Sequence, residues 1–463
     1  MKDCFTQYFR CPDRYVKFSA PSGLSAKQGY FRLGADIICY GKLAGGKLQQ
    51  NPADGLYDSL RNIIAGNGII ELPFDLREVI ENLRNEVYLG TNGENDPLSS
   101  WKAKIYYLVR PFLSVAVRKH LQRARLQDWH TLPFPQWPVD FSVEKIFEQM
   151  MLLALKSGRS NRIPFIWFWP DGASSCALMT HDVETAVGRD FCETVMDIDD
   201  AFGMKASFQV IPEERYEVSP RFVDHIRERG FEVAVHDLNH DGRLFRDKEE
   251  FQSRAKKINA YGEKFHAEGF RAAILYRKQR WFHALDFAYD MSVPNVGHLE
   301  PQRGGCCTVF PFFIDDILEI PVTTTQDYSL FHILKNYSID VWKRQIEQIM
   351  ERHGLISFIV HPDYILGESE QQAFKALLGH LADLRMEKAL WTPTPGAVND
   401  WWRRRARMRI VEDFHGIRIE GEGSERARLA YASEKNGRLE FTLEDANRTD
   451  REVVNANMTD QVH

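Results

Sequence analysis

The chain has 463 residues, which exceeds one ordinary domain and predicts about two to four. Hydrophobic residues make up 44% and charged residues 27%, a globular composition that excludes a disordered chain, a collagen-like fibre and a disulfide-dense mini-protein. The 59 basic and 65 acidic residues leave a formal net charge of −6, so the chain lacks the basic excess of a nucleic-acid-binding protein, and we expect no nucleic-acid partner.

The N-terminal part of the chain is predicted to be a helix-rich, irregular region over residues 1–172. It contains an apolar stretch that turns basic at 110–125, followed by a passage rich in Trp and Pro around 129–138. A second aromatic passage, FIWFWPDG, ends at Gly172. So many aromatic side chains favour burial, which indicates an ordered connector and not a floppy linker.

From Cys176 onward, short apolar runs alternate with amphipathic helical patterns. The runs are predicted to be strands at 176–182, 205–211, 231–237, 271–276, near 291, 317–323, 355–362 and 389–393. Buried strands that alternate with helices are typical of a parallel sheet covered by helices. We therefore predict an α/β fold, a (β/α) barrel of about seven strands over residues 173–409.

The C-terminal part changes character once more. Three alternating segments over 410–445 predict a small antiparallel β appendage, and the polar residues 446–463 are typical of a disordered tail. The basic runs at 110–125 and 403–409 could bind anionic head groups in a peripheral membrane contact, although each is also typical of a solvated helix face.

Cysteine usage and hydropathy bear on the compartment. The seven cysteines form no C-x-x-C pair, which fits a reducing environment. The first residues lack an apolar core of signal-peptide length, and no run approaches the roughly 18 apolar residues of a membrane-spanning helix. We expect a cytoplasmic location, with any membrane contact at the inner face.

Titratable residues follow several of the predicted strands, where parallel strands place an active site. His236 and His240 have the i, i+4 spacing that lets two imidazoles bind one ion. Asp182 and Glu184 are two residues apart, so in an extended segment one can bind the ion while the other accepts a proton from water. Two His and one carboxylate form a catalytic type of site for a divalent metal: Zn²⁺ fits best, and Co²⁺, Ni²⁺ or Fe²⁺ also fits.

The motifs at the strand ends resemble those of the polysaccharide deacetylases, carbohydrate esterase family 4, which share the NodB-homology fold. The segment THDVE at 180–184 corresponds to the family's T-F-D-D-G motif, with Val183 in place of its metal-binding Asp. The resemblance implies that Glu184 takes over that ligand position beside His236 and His240. It covers residues 176–393.

The resemblance also implies the catalytic residues. Asp182 corresponds to the catalytic base, Arg277 to the arginine that keeps this base ionised, and His361 to the acid that protonates the leaving amine. We expect a carboxylate such as Asp290 or Asp363 to orient His361.

Substrate contacts are predicted at two strand ends. Tyr276 ends the 271–276 segment, and Gln326 and Asp327 follow the 317–323 segment, where they could hydrogen-bond sugar hydroxyls. The predicted partner is therefore an acetylated amino-sugar or glycan.

The predicted function is metal-dependent removal of an N-acetyl group from an acetamido-sugar during polysaccharide or glycan precursor assembly. Two alternatives stay open. The same site could cleave another linear amide or an O-acetyl ester, or the domain could be a degenerate barrel that binds a glycan without catalysis.

Overall fold

The computed structural model describes residues 4–66, 69–90, 124, 126–158, 160–414 and 416–444. The predicted tail at 446–463 and nearly all of the basic stretch at 110–125 lie outside these residues. In the described part of the chain, no helix is both long and apolar enough to cross a membrane.

In its described residues, the N-terminal region combines short strands with three α-helices. The strands are β1 (Lys17–Ser19), β2 (Gly29–Leu33), β3 (Ile37–Gly41), β4 (Ile64–Gly66), β5 (Ile69–Glu71) and β6 (Arg162–Ile166). The helices are α1 (Cys4–Phe9), α2 (Leu76–Arg84) and α3 (Ser142–Ser157). The short strands of this region are not evident from the sequence, because segments of three to five residues are too short for an alternating pattern to stand out.

A curled sheet of eight strands forms the centre of the protein. Its strands are β7 (Cys176–Val183), β8 (Ala206–Val210), β9 (Glu232–His236), β10 (Gly269–Arg271), β11 (Tyr289–Asp290), β12 (Phe312–Ile314), β13 (Ile317–Glu319) and β14 (Leu355–Ile359). Seven of them run parallel in the order β13-β11-β10-β9-β8-β7-β14, and β12 pairs antiparallel with β13 at the edge. This topology confirms the predicted α/β barrel with seven parallel strands.

Threonine side chains link the two ends of the parallel set. The Thr323 hydroxyl donates to the Leu355 carbonyl and accepts from the Ser357 amide, both at 2.8 Å. The Thr324 hydroxyl donates to the Ser357 carbonyl, also at 2.8 Å. The chain that follows β13 is thereby held beside β14, and the carboxyl ends of the strands face a common mouth.

Six helices accompany the sheet. They are α4 (Ala186–Ala201), α5 (Pro220–Glu228), α6 (Lys248–Phe265), α7 (Asp340–Met350), α8 (Glu368–Lys388) and α9 (Pro395–Arg407). Helix α4 begins two residues after Glu184, where the Thr185 hydroxyl accepts from the Gly188 amide and caps the first turn. The start of this helix therefore fixes the direction of the chain just after the predicted acidic residues.

The C-terminal strands form two antiparallel pairs. They are β15 (Arg409–Asp413), β16 (Gly416–Glu420), β17 (Leu429–Lys435) and β18 (Arg438–Leu443). Strand β17 also pairs with β6, so the appendage shares a three-stranded sheet with the region that precedes the barrel. The domain boundaries at residues 172, 409 and 445 stay a prediction from the sequence.

Candidate metal centre and its acid and base

The mouth of the barrel brings together side chains from three strand ends. Asp182 lies on β7, Glu184 follows it, His236 ends β9, and His361 lies two residues beyond β14. The four side chains are between 2% and 21% exposed, which places them in a partly open, largely desolvated cleft.

Glu184, His236 and His240 form a group that could hold a metal ion. One ligand atom from each lies within 4.8 Å of the others, and the Glu184 Oε1 is 3.0 Å from the His240 Nε2. The predicted metal ligands therefore meet at one point. Asp237 and His240 have φ values of 57° and 56°, a left-handed conformation that costs energy outside glycine and is common at functional sites.

The hydrogen bonds of His236 leave one ring nitrogen available. Its Nδ1 lies 3.1 Å from the Arg271 carbonyl, which accepts a hydrogen bond from the Nδ1–H and so assigns the lone pair to Nε2. The Nε2 is buried and has no hydrogen-bond partner. A buried imidazole nitrogen without a partner, aimed at a carboxylate and a second imidazole, fits a metal ligand.

The protonation states also suit cation binding. Burial lowers the pKa of His236 to about 4, so this imidazole is neutral at pH 7. Burial alone would raise the pKa of Glu184, but the neighbouring imidazoles, His240 first, hold it well below its ordinary value. Neutral imidazole and ionised carboxylate are the forms that bind metal.

Asp182 is held by a buried arginine. The Arg271 Nη1 donates to the Asp182 Oδ1 at 2.6 Å and to the Thr180 hydroxyl at 2.8 Å. Burial would raise the pKa of Asp182, but Arg271 and the adjacent histidines His236 and His361 lower it overall. Asp182 is therefore an ionised carboxylate whose second oxygen, Oδ2, lies 3.7 Å from the His236 Nε2.

His361 faces the same point from the opposite side. Its Nε2 lies 4.0 Å from the Asp182 Oδ2 and 3.8 Å from the Glu184 Oε1. Its Nδ1 is 2.6 Å from the Asp327 Oδ1, and its backbone amide donates to the other Asp327 oxygen at 2.7 Å. Burial would lower the pKa of His361, but the Asp327 carboxylate, assisted by Glu184 and Asp182, raises it to about 10.

Arg277 is not the arginine beside Asp182, and this part of the prediction is wrong. Strand β10 ends at Arg271, which is level with His236 in the sheet, and a helical turn over Ala273–Leu275 carries the chain away. Arg277 instead forms a buried ion pair with Glu86 of the N-terminal region, with its Nε 2.6 Å from the Glu86 Oε2. Arg271 would have been chosen if the predicted strand at 271–276 had been ended at its first residue, as the structure ends it.

The three residues predicted to contact the substrate are all buried. Tyr276 is buried beside Arg277, and Gln326 is 9% exposed. Asp327 is fully buried with both oxygens bound to His361, so it orients this histidine and is not placed to bind a sugar hydroxyl.

The two carboxylates expected to orient His361 have other partners. Asp290 accepts from Ser292, and Asp363 accepts from the Glu184 amide and the Thr185 hydroxyl. That expectation is therefore wrong: the carboxylate that orients His361 is Asp327, which the sequence predicts as a substrate contact.

No protein-family model matches this chain, and no curated protein matches its sequence. Among solved structures, it resembles a protein described as a polysaccharide deacetylase from Mycobacterium smegmatis, with 16% identity, a TM-score of 0.42, and coverage of 51% of this chain and 93% of that one.

Two further solved structures have similar coverage. The allantoinase Puue has 10% identity, a TM-score of 0.40, and coverage of 51% and 92%. The peptidoglycan deacetylase PdaC from Bacillus subtilis has 12% identity, a TM-score of 0.31, and coverage of 50% and 93%. At this degree of similarity, the function has to be inferred from the side chains of the site.

Proposed function

We propose that this protein is a metal-dependent hydrolase that removes the N-acetyl group from an acetamido-sugar. The observation that carries the proposal is the convergence of three components: the group Glu184, His236 and His240, the ionised Asp182, and the protonated His361. The Asp182 Oδ2 lies 3.7 Å from the His236 Nε2 and 4.0 Å from the His361 Nε2. A divalent ion, for which Zn²⁺ is our proposal, would polarise the acetamide carbonyl and lower the pKa of a bound water to about 7.

Asp182 is the proposed general base. Its Oδ1 is engaged by Arg271, so Oδ2 is the oxygen directed toward the metal-binding group and is the one that accepts the proton of the attacking water. Arg271 is buried and keeps the carboxylate ionised before the reaction. It also fixes the direction of that carboxylate through a second bond to Thr180.

His361 is the proposed general acid. Asp327 holds its Nδ1, which directs Nε2 into the cleft as a proton donor. An amine is a poor leaving group unless it is protonated, so a histidine that stays protonated at neutral pH suits amide cleavage better than ester cleavage.

An aromatic group beside His361 supports a sugar substrate. The Tyr364 ring lies 4.6 Å from the His361 ring, and Tyr328 and His332 pack against Tyr364 at 5.3 and 5.0 Å. All three side chains of this group are partly exposed. Aromatic faces at the rim of a polar site suit the flat apolar face of a pyranose ring.

We further propose that the substrate is a cytoplasmic glycan precursor. All seven cysteines lie in the described part of the chain, and all are buried and outside any disulfide. This supports a reducing compartment, where precursors and not mature extracellular polymers are available.

The experiment is an acetate-release assay on metal-loaded protein. N-acetylglucosamine oligosaccharides and an O-acetylated sugar are offered separately, with Asp182→Asn as the matched inactive control. We expect release from the amide that depends on Asp182. Release from the ester alone would favour the esterase alternative, and tight oligosaccharide binding without release would favour a non-catalytic glycan-binding barrel.

The pH profile should report the link between His361 and Asp327. The reaction needs protonated His361, so the rate falls as pH rises through its pKa. Because Asp327→Asn removes the charge that raises this pKa, we expect the alkaline limb of kcat/KM to move down by about 1–3 pH units. An alkaline limb at the wild-type position would contradict the acid assignment.

A second pH experiment distinguishes the two arginines. Asp182 must be ionised, so the rate rises as pH passes its pKa, and loss of the adjacent charge raises that pKa. We expect Arg271→Gln to move the acid limb up by about 1–3 pH units. Arg277→Gln, assayed below its unfolding temperature, should leave the acid limb in place. The opposite pattern would restore Arg277 as the partner of the base.

A further inference from the structure

The two carboxylate oxygens of Glu184 have different partners. Oε1 faces the imidazoles, 3.0 Å from the His240 Nε2 and 3.8 Å from the His361 Nε2. Oε2 accepts a hydrogen bond of 2.9 Å from the Tyr364 hydroxyl. One oxygen is thus directed to the candidate metal position, and the other is bound by a tyrosine.

The backbone of Glu184 is held by the residue next to Tyr364. The Glu184 amide donates to the Asp363 Oδ2 at 3.0 Å, and the Thr185 hydroxyl donates to the Asp363 Oδ1. Gly188 makes this approach possible, because a Cβ at that position would lie 2.1 Å from the Asp363 Oδ2. Asp363 therefore fixes the main chain of Glu184, while Tyr364 fixes its side chain.

Both contacts come from one short helical turn, Pro362–Tyr364, which directly follows His361. Glutamate has one more rotatable bond than aspartate, so its carboxylate loses more conformational freedom when it is fixed at a metal. An anchor on the oxygen that does not face the metal position reduces that loss before the ion arrives.

We propose that Tyr364 is a positioning residue for the metal: its hydroxyl holds the Glu184 Oε2 so that Oε1 alone is presented to the ion. The turn that follows the acid His361 thereby also sets the affinity of the metal site. This inference rests on the proposed metal-dependent function and adds a residue to it.

The test measures metal affinity and does not depend on turnover. Zn²⁺ dissociation constants are determined by competition with a chromophoric chelator for wild type, Tyr364→Phe and Tyr328→Phe. Tyr328 is the matched control, because it belongs to the same aromatic group and the phenylalanine keeps its ring. We expect Tyr364→Phe to weaken Zn²⁺ binding about 10–100-fold and Tyr328→Phe to change it less than about threefold.

A double-mutant cycle excludes a general structural effect. Glu184→Asp withdraws the carboxylate by about one C–C bond, roughly 1.5 Å, which breaks the contact with Tyr364. We therefore expect Tyr364→Phe to weaken Zn²⁺ binding less than about threefold in the Glu184→Asp background.

The results of these measurements separate the positioning role of Tyr364 from the metal-dependent function. Wild-type affinity in Tyr364→Phe, or equal losses in both backgrounds, would overturn the positioning role and leave the metal site standing. Failure of the wild type itself to bind Zn²⁺ would overturn the metal-dependent function and this inference with it. A loss confined to the Glu184 background supports both.

Discussion

Asp182→Asn is expected to lower kcat by roughly 10²–10⁴-fold while bound metal stays at the wild-type level. The asparagine keeps the shape of the side chain and can still accept from Arg271, but it cannot take a proton from water. Metal content is conserved because the ligand atoms come from other residues. Steady-state kinetics and metal analysis of the same preparation measure both quantities.

The matched control is Asp290→Asn. Asp290 is also a fully buried carboxylate of the barrel, on β11, but it hydrogen-bonds to Ser292 and not to the site. We expect its kcat to stay within about tenfold of the wild type, well short of the loss of a general base. Activity that survives in Asp182→Asn would show that Asp182 is not the base, and Glu184 would become the candidate.

The second large effect concerns stability and the N-terminal region. Glu86 and Arg277 are 7% and 0% exposed in their side chains, and Glu86 also accepts from the Gly305 amide at 2.6 Å. Burial would lower the pKa of Arg277, but Glu86 raises it, so the guanidinium is charged. Glu86→Ala leaves this charge buried without its partner, and we expect a loss of about 3–5 kcal/mol in the free energy of unfolding.

Glu81→Ala provides the comparison in the same region. Glu81 forms an exposed i, i+4 pair with Arg77 at 3.5 Å on helix α2, and we expect its removal to cost less than about 0.5 kcal/mol. Urea unfolding followed by circular dichroism measures both variants. Equal small losses would mean that the Glu86–Arg277 pair does not stabilise the fold.

The Glu86–Arg277 ion pair indicates one role for the N-terminal region, to which the sequence assigns no function. Glu86 binds Gly305 and Arg277, and the Tyr88 hydroxyl donates to the Gly305 carbonyl at 2.6 Å. The N-terminal region therefore supports a loop of the barrel that lies beyond β11. We expect Glu86→Ala to affect stability first and activity only through it.

Much of the fold could be predicted because it follows from local patterns. Buried parallel strands appear as short apolar runs, and the polar residues that follow them gather at one edge of the sheet. That reasoning placed Asp182, Glu184, His236, His240 and His361 at one mouth, as the structure has them.

The errors occur where tertiary packing overrides local preference. Residues 271–276 read as a strand, yet Ile274 and Leu275 adopt φ values of 61° and 51°, which β-branched and bulky residues rarely do. That bend places Arg271 and not Arg277 beside the base. The partner of His361 was missed for a related reason. Asp327 lies 34 residues away in sequence, and the two residues meet only because the chain after β13 lies beside β14.

The metal content of the purified protein tests the central claim most directly, with wild type measured beside His240→Ala. His240 supplies one of three ligand atoms, so its removal should abolish tight binding while the buried barrel core persists. We predict about one equivalent of zinc or a similar divalent ion in the wild type and little in the variant. Little metal in either protein, even after loading with Zn²⁺, would contradict the account and favour a barrel that binds glycans without catalysis.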